Sequence, residues 1–548
     1  MVAPSAHTMC EIVRARWGKV AHITYLIFGF MANIIVTSML ILGGAATTQA
    51  LTGMDSRLAA FFIPWGVILY TWHGGLHATY LSAYLHTLVI MAVLVIMISI
   101  VYIKVYSSDQ IYAFLANTVS YSTEQCEIIF STDNSTATTF YERGMYACGP
   151  VKGNEAGSYL TFISGGGLMF GIINIIGNFG TVFVDQSYWM SAIAARPSSA
   201  AKGYLLGGLC WFAIPFSLAT SLGLSAAALM LPITKEEAGA GLVPPAVAQH
   251  YMGQAGGVLI LVMLFMAITS TGSAECLAVS SLCTYDIYRT YINPDATGPQ
   301  ILRVSRVIVL VFGLGMGAFA VALQYIGLNL GWVYLFMGIM IGSAVIPMWN
   351  LVNTERASAT GAVIAAWGGM VLAIIGWLVG AKIHGGSITV ATLGADPVML
   401  SGNVIAIVAS GIIHWIHSTF IDRTVFDFAT LDEGITLVEE DLSGLGEAEK
   451  VSSIVFLIRE SLLIYFLEVS NNLSLLLLGP QNVKRSIQVD YSQGVLPYIC
   501  TDYPMACSFH SCRSLFQVLL RVLGDCIHHV GIHRNSCYHL LAHYGELN

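Results

Sequence analysis

Charge is what this sequence lacks. Only 10% of its 548 residues are charged, where a water-soluble domain carries about 25%, and that excludes a soluble globule. A basic field for nucleic acid is absent too, since 31 acids outweigh 23 bases and most of the deficit falls in residues 422–450, with nine acids and two bases. No partner nucleic acid is therefore expected. The sequence has no Gly-x-x-x-x-Gly-Lys phosphate loop, which argues against an ATP-driven pump. It has no Gly-x-Ser-x-Gly nucleophile elbow and no His-Glu-x-x-His zinc helix, so hydrolase chemistry has no carrier and no enzyme is expected.

Apolar residues make up 56% of the chain, and runs of membrane-spanning length recur with charges only between them. They fall at His22–Gly44, Leu58–Trp72, Tyr84–Val105, Tyr159–Phe183, Tyr204–Leu231, Gly256–Cys283, Val304–Gln324, Trp332–Leu351, Thr360–Ala381 and Gly402–Ile421. The fold class expected is an all-α polytopic membrane protein with about ten transmembrane helices. Four regions follow: a cytoplasmic amphipathic segment at 1–19, a transmembrane core at 20–421 with an extracellular loop at 106–158, an acidic cytoplasmic linker at 422–450, and an atypical Cys- and His-rich tail at 451–548. Met1–Lys19 has no apolar core, so the first span is expected to act as its own insertion signal.

Lys and Arg set the orientation, because cytoplasmic loops retain positive charge. With the start inside, Arg14, Arg16, Lys19, Arg196, Lys202, Arg289, Arg303, Arg306, Arg356 and Arg423 lie on inner segments. The 106–158 loop then faces outward, and it carries the glycosylation acceptor Asn134 and a cysteine pair, Cys126 and Cys148, expected as a disulfide. In the tail, His529 and His533 have the spacing of two ligands on a helix, but no partner pair completes a metal site and none is expected.

Polar groups inside membrane helices must pair, line a cavity or bind something. The fourth span carries Gly177, Asn178, Gly180 and Thr181 ahead of Asp185 and Gln186, a pattern that predicts an interrupted helix at Gly177–Thr181. The triple glycine at Gly165–Gly167 and the pairs Gly203 with Gly207, Gly313 with Gly317 and Gly338 with Gly342 read instead as close packing. The sixth span holds Thr269, Ser270, Thr271, Ser273 and Glu275. Its hydroxyls, with the Ala267 carbonyl, suit a small cation, or they satisfy themselves on the preceding turn. Asp185 and Glu275 are the acids placed in the membrane core, each either a proton carrier or half of a structural ion pair. His73, His77 and His86 fall in a predicted inner loop, where packing or hydration accounts for them.

Long strings of residues, Ala6–Gly18, Gly177–Ser199, Lys202–Gly223, Gly241–Ala246, Leu264–Thr290 and Gly338–Pro347, resemble the sodium:solute symporter family and its urea active transporter branch. The resemblance covers roughly residues 3–450. It implies a LeuT-like core of inverted repeats with alternating access around a midplane site. Asn178, Asp185, Gln186, Tyr188 and Trp332 become candidates for the substrate pathway, with Tyr334 on the same helix as Trp332. Ala267, Ser270, Thr271 and Glu275 become candidates for the cation site or for proton coupling. It further implies urea as substrate, co-transported H+ or Na+ with no other cofactor, the lipid bilayer as partner, and the plasma membrane. Family members carry helices ahead of the Ala6 string, so the chain is expected to be N-terminally truncated relative to them. The alternatives are a symporter of another small solute such as a polyamine, or a non-transporting sensor.

Overall fold

A computed structural model describes residues 6–130, 147–195, 197–428 and 430–431. Asn134, most of the 422–450 segment and the whole 451–548 tail, His529 and His533 included, lie outside the described residues. All of the described residues belong to the first of two units, Met1–Glu440.

Seventeen α-helices follow one another in the described residues: α1 Met9–Thr52, α2 Ser56–Ser99, α3 Ser108–Ser120, α4 Thr123–Phe130, α5 Gly165–Val184, α6 Gln186–Ala194, α7 Pro197–Leu218, α8 Leu224–Ala228, α9 Lys235–Gly239, α10 Val243–Met252, α11 Gln254–Ser281, α12 Gly298–Ile326, α13 Leu330–Ile341, α14 Val345–Asn353, α15 Ala359–Gly385, α16 Val390–Leu393 and α17 Asp396–Ile416. Wider π-helical turns extend α2, α7, α11 and α17, the longest over Leu282–Ile292. Nine described helices are long and apolar enough to cross a membrane. The tenth expected span, Leu58–Trp72, is the first half of α2. Gly75 adopts φ +53° inside that helix, a conformation open to glycine without a Cβ penalty, and turns it toward its second half.

Three expectations change here. The predicted inner loop around His73, His77 and His86 is helical, because the kink at Gly75 does the work of a loop within α2. Residues 9–17, expected as a surface amphipathic segment, pack inward ahead of a second kink at Gly18, with Met9, Cys10, Val13 and Trp17 buried. Arg16 makes that burial tolerable by donating to the carbonyls of Asn350, Leu351, Thr354 and Glu355 at the open end of α14, where partial negative charge collects. The fourth span begins at Gly165, since Ser164 caps it by accepting from the Gly167 N–H at 3.0 Å. The triple glycine is thus an exposed first turn.

Interior packing joins α1 to α2, α11 and α13, α2 to α11 and α12, α5 to α13 and α17, and α15 to α17. Small residues allow the close approaches. A Cβ on Gly313 would meet Ile68 at 2.5 Å, and one on Gly338 would lie 3.1 Å from the Gly177 backbone nitrogen. Gly203 and Gly207 have nothing within 4 Å of such a Cβ, so that pair packs against nothing described. Cys126 and Cys148 are disulfide-bonded with Cα atoms 5.9 Å apart.

Candidate functional site

The helix predicted to break at Gly177–Thr181 runs unbroken to Val184 and breaks at Asp185, whose ψ of 118° is extended. Gly180 serves packing instead, since a Cβ there would meet Ile341 of α13 at 2.7 Å. Asp185 joins two helices. Its N–H donates to the Thr181 carbonyl at 2.8 Å to close α5, and its Oδ1 accepts the Ser187 N–H at 2.8 Å to open α6.

Two further helices converge on this break. Asn33 of α1 donates through its amide nitrogen to Asp185 Oδ1 at 2.8 Å and to Glu275 Oε2 of α11 at 2.6 Å. The Ser187 hydroxyl donates to Glu275 Oε1 at 3.4 Å. Asn33, Asp185 and Glu275 are each at most 1% exposed. Asn33 Oδ1 and Asp185 Oδ2 are buried with no hydrogen-bond partner. Asn33 escaped the sequence reading, although a lone amide within the apolar first span carries the same signal as an intramembrane acid: hydrocarbon gives it no water, so it must pair.

The other candidates divide. Asn178 stands in a second polar cluster between α5 and α13, donating to the Asn174 carbonyl at 2.8 Å, to Asn174 Oδ1 at 2.6 Å and to the Tyr334 hydroxyl at 3.1 Å. Tyr334 in turn donates to Asn174 Oδ1. Tyr188 is 43% exposed on α6. Gln186 is fully buried but engaged with backbone, accepting from the Met9 N–H at 2.9 Å and donating to the His7 carbonyl at 3.2 Å. The indole of Trp332 donates to the Val390 carbonyl at 3.1 Å and packs on Phe336 and Trp377. Gln186 and Trp332 therefore act as ties between elements, and neither joins the two polar clusters.

On α11 the Ala267, Ser270 and Thr271 set precedes Glu275 by one to two turns. Ser273 donates its hydroxyl to the Ser270 carbonyl at 2.9 Å, and Tyr70 of α2 donates to the Thr269 carbonyl at 2.6 Å. Of the three histidines, His86 is buried with Nε2 3.4 Å from the Thr269 hydroxyl. His73 is exposed, its Nδ1 3.0 Å from the Leu69 carbonyl. A third buried acid, beside Asp185 and Glu275, went unpredicted. His22 Nε2 lies 2.9 Å from Asp286 Oδ1, and its Nδ1 lies 2.7 Å from the Tyr291 hydroxyl. This pair ties α1 to the π-helical turns after α11.

The sequence profile of the sodium:solute symporter family matches residues 3–369. The chain belongs to that family. Its members are transporters and not enzymes, and this chain, with nine described helices long and apolar enough to cross a membrane, is an integral membrane protein. It is 53% identical over 456 residues, 83% of the chain, to the urea-proton symporter DUR3 of Oryza sativa subsp. japonica. It is 41% identical over 74% of its length to a probable urea active transporter 1 of Schizosaccharomyces pombe, and 38% identical over 80% to the urea active transporter of Saccharomyces cerevisiae. The chain spans 61%, 59% and 58% of the lengths of those three relatives. Its fold matches a Na+-coupled sialic acid symporter solved in a substrate-bound, outward-open state, with a TM-score of 0.52 at 16% identity over 75% of this chain and 76% of that one. The LeuT-like, all-helical class expected from the sequence is thus the observed one.

Proposed function

We propose that this symporter carries urea across the plasma membrane by secondary active transport, coupled to a proton or sodium gradient through alternating access. One observation carries the reading: 53% identity over 83% of the chain to a protein named as a urea-proton symporter. The interior agrees with it chemically. Urea is neutral and carries four N–H donors and a carbonyl, and the Asn174, Asn178 and Tyr334 cluster offers amide and hydroxyl groups of matching character on α5 and α13. Asn178, with Tyr188 exposed beyond the break, lines the substrate pathway in this reading. Ala267, Ser270 and Thr271 are the oxygens for a cation, and Glu275 the group for a proton. The N-terminus is cytoplasmic and the 106–158 loop outside, as the charge bias requires, with Asn134 as glycan acceptor and 422–450 as a cytoplasmic segment.

Labelled urea uptake in cells lacking their own urea transporter tests this, with the rice relative as positive control and surface expression measured in parallel. The expected result is accumulation above the external concentration, abolished by a protonophore or by sodium removal according to the coupling ion. A surface-expressed chain that never accumulates urea, beside a working control, overturns the reading.

A further inference from the structure

We propose that Asp185 and Glu275 hold one exchangeable proton between them, clamped by Asn33, and that this proton is the one moved in the transport cycle. The role in coupling rests on the transport reading above; the shared proton does not.

The first support is geometric. Both hydrogens of the Asn33 amide are spent on the two acids, at 2.8 and 2.6 Å, so both carboxyl groups converge on one amide nitrogen. A contact between two carboxyl groups requires a proton on one of them, because two carboxylates offer only acceptors. Charge balance is the second support. Among the described residues no Lys, Arg or His lies within ion-pair distance of either acid. The titratable neighbours are Tyr188 on α6 and Cys276 on α11, both neutral when protonated. Two like charges at 1% exposure with no counter-cation cannot both persist.

The surroundings also say where the proton rests. Asp185 Oδ1 receives two N–H donors, from Asn33 and from the first turn of α6, and it stands at the positive end of that helix. The negative charge therefore stays on Asp185 and the proton on Glu275. Asp185 Oδ2, buried with no hydrogen-bond partner, is the acceptor open to that proton. Loss of the proton leaves two facing charges on α11 and on the α5–α6 break. Repulsion drives those elements apart, and Asn33 transmits the change to α1. A proton thus acts on a helix junction, the kind of element that a two-state transporter must move.

The test uses the full chain, purified and reconstituted, as wild type, E275Q and D185N, with E236Q at an exposed acid as control. Infrared spectra at neutral pH are expected to show a protonated carboxyl band in wild type and E236Q, lost in E275Q and shifted in D185N, where the acceptor becomes an amide. Absence of the band from wild type, or its persistence in E275Q, overturns the shared proton. In uptake, E275Q is expected to pass urea down its gradient but to lose accumulation at least tenfold together with the urea-evoked proton current, whereas E236Q keeps both. Accumulation by E275Q at the wild-type level overturns the coupling role. If E275Q does not reach the membrane, D185N carries the uptake test, because without the Asp185 charge the loss of the Glu275 proton no longer leaves two facing charges. Wild type that shows the band but never accumulates urea overturns the transport reading and leaves the shared proton standing.

Discussion

Two buried acidic sites meet α1 three turns apart, a separation of about 16 Å along its axis, and they are built on opposite terms. Near the start of the first span, Asp286 faces His22 at 2.9 Å, a partner able to carry the compensating positive charge, and both side chains are fully buried. Further along, Asp185 and Glu275 face only Asn33 and Ser187, which give hydrogen bonds but no charge. A compensated acid is a fastener. An uncompensated pair must keep a proton, and a proton can leave.

Removing the partner of the fastener gives the largest expected effect. His22→Ala leaves the buried Asp286 without the imidazole that faces it at 2.9 Å, a loss of about 3 kcal/mol. Thermal unfolding of the purified protein reads it as a clear drop in midpoint, with partial recovery in the His22→Ala, Asp286→Asn double variant. Equal stability of His22→Ala and wild type would show that Asp286 needs no compensation, and the contrast between the two sites would fall.

Asn33→Leu sharpens the comparison at the other site. It deletes both clamping hydrogen bonds while keeping the volume apolar, for an expected loss of about 1–3 kcal/mol. Two acids remain that can still share a proton, so their carboxyl infrared band should persist while urea accumulation falls. Stability lost with accumulation intact would make Asn33 a fastener as well.

The sequence shows these sites unevenly, and for physical reasons. Asp185 and Glu275 stand out because an acid in an apolar run is costly wherever it is not functional or paired. Asn33 carries the same cost more quietly, as an uncharged amide, and its relevance emerges only once α1, α11 and the break converge. Asp286 hid behind a boundary, since ending the sixth span at Cys283 put it in a loop, whereas the π-helical turns carry the helix on to Ile292. The break itself was placed one turn early, because glycine permits either a kink or a close approach. Sequence alone does not separate those uses, and contact between Gly180 and Ile341 does. The helical class and membrane character were legible throughout, being set by composition and run length rather than by any contact.

The smallest effect belongs to a fourth acid, outside the membrane-spanning helices. Asp422 opens the segment expected as a solvated linker, yet its Oδ2 accepts the Ser358 hydroxyl at 2.7 Å, and Ser358 Oγ accepts the Gly361 N–H at 3.0 Å to cap α15. The Ser358 and Thr424 hydroxyls hold the Asp422 carboxyl below its ordinary value of 3.8. A depressed carboxyl stabilises the fold above its unfolded value and loses that contribution only as pH falls through the folded one, so the cap is complete at pH 7 and at pH 5 alike and weakens below 3.8. Asp422→Asn should cost under about 1 kcal/mol, as exposed polar contacts do, seen as faster amide exchange at Gly361. It should leave the pH dependence of urea uptake unchanged. A shift in that profile would mean that the Ser358 end of α15, and not the uncompensated pair beside α1, sets the response to protons.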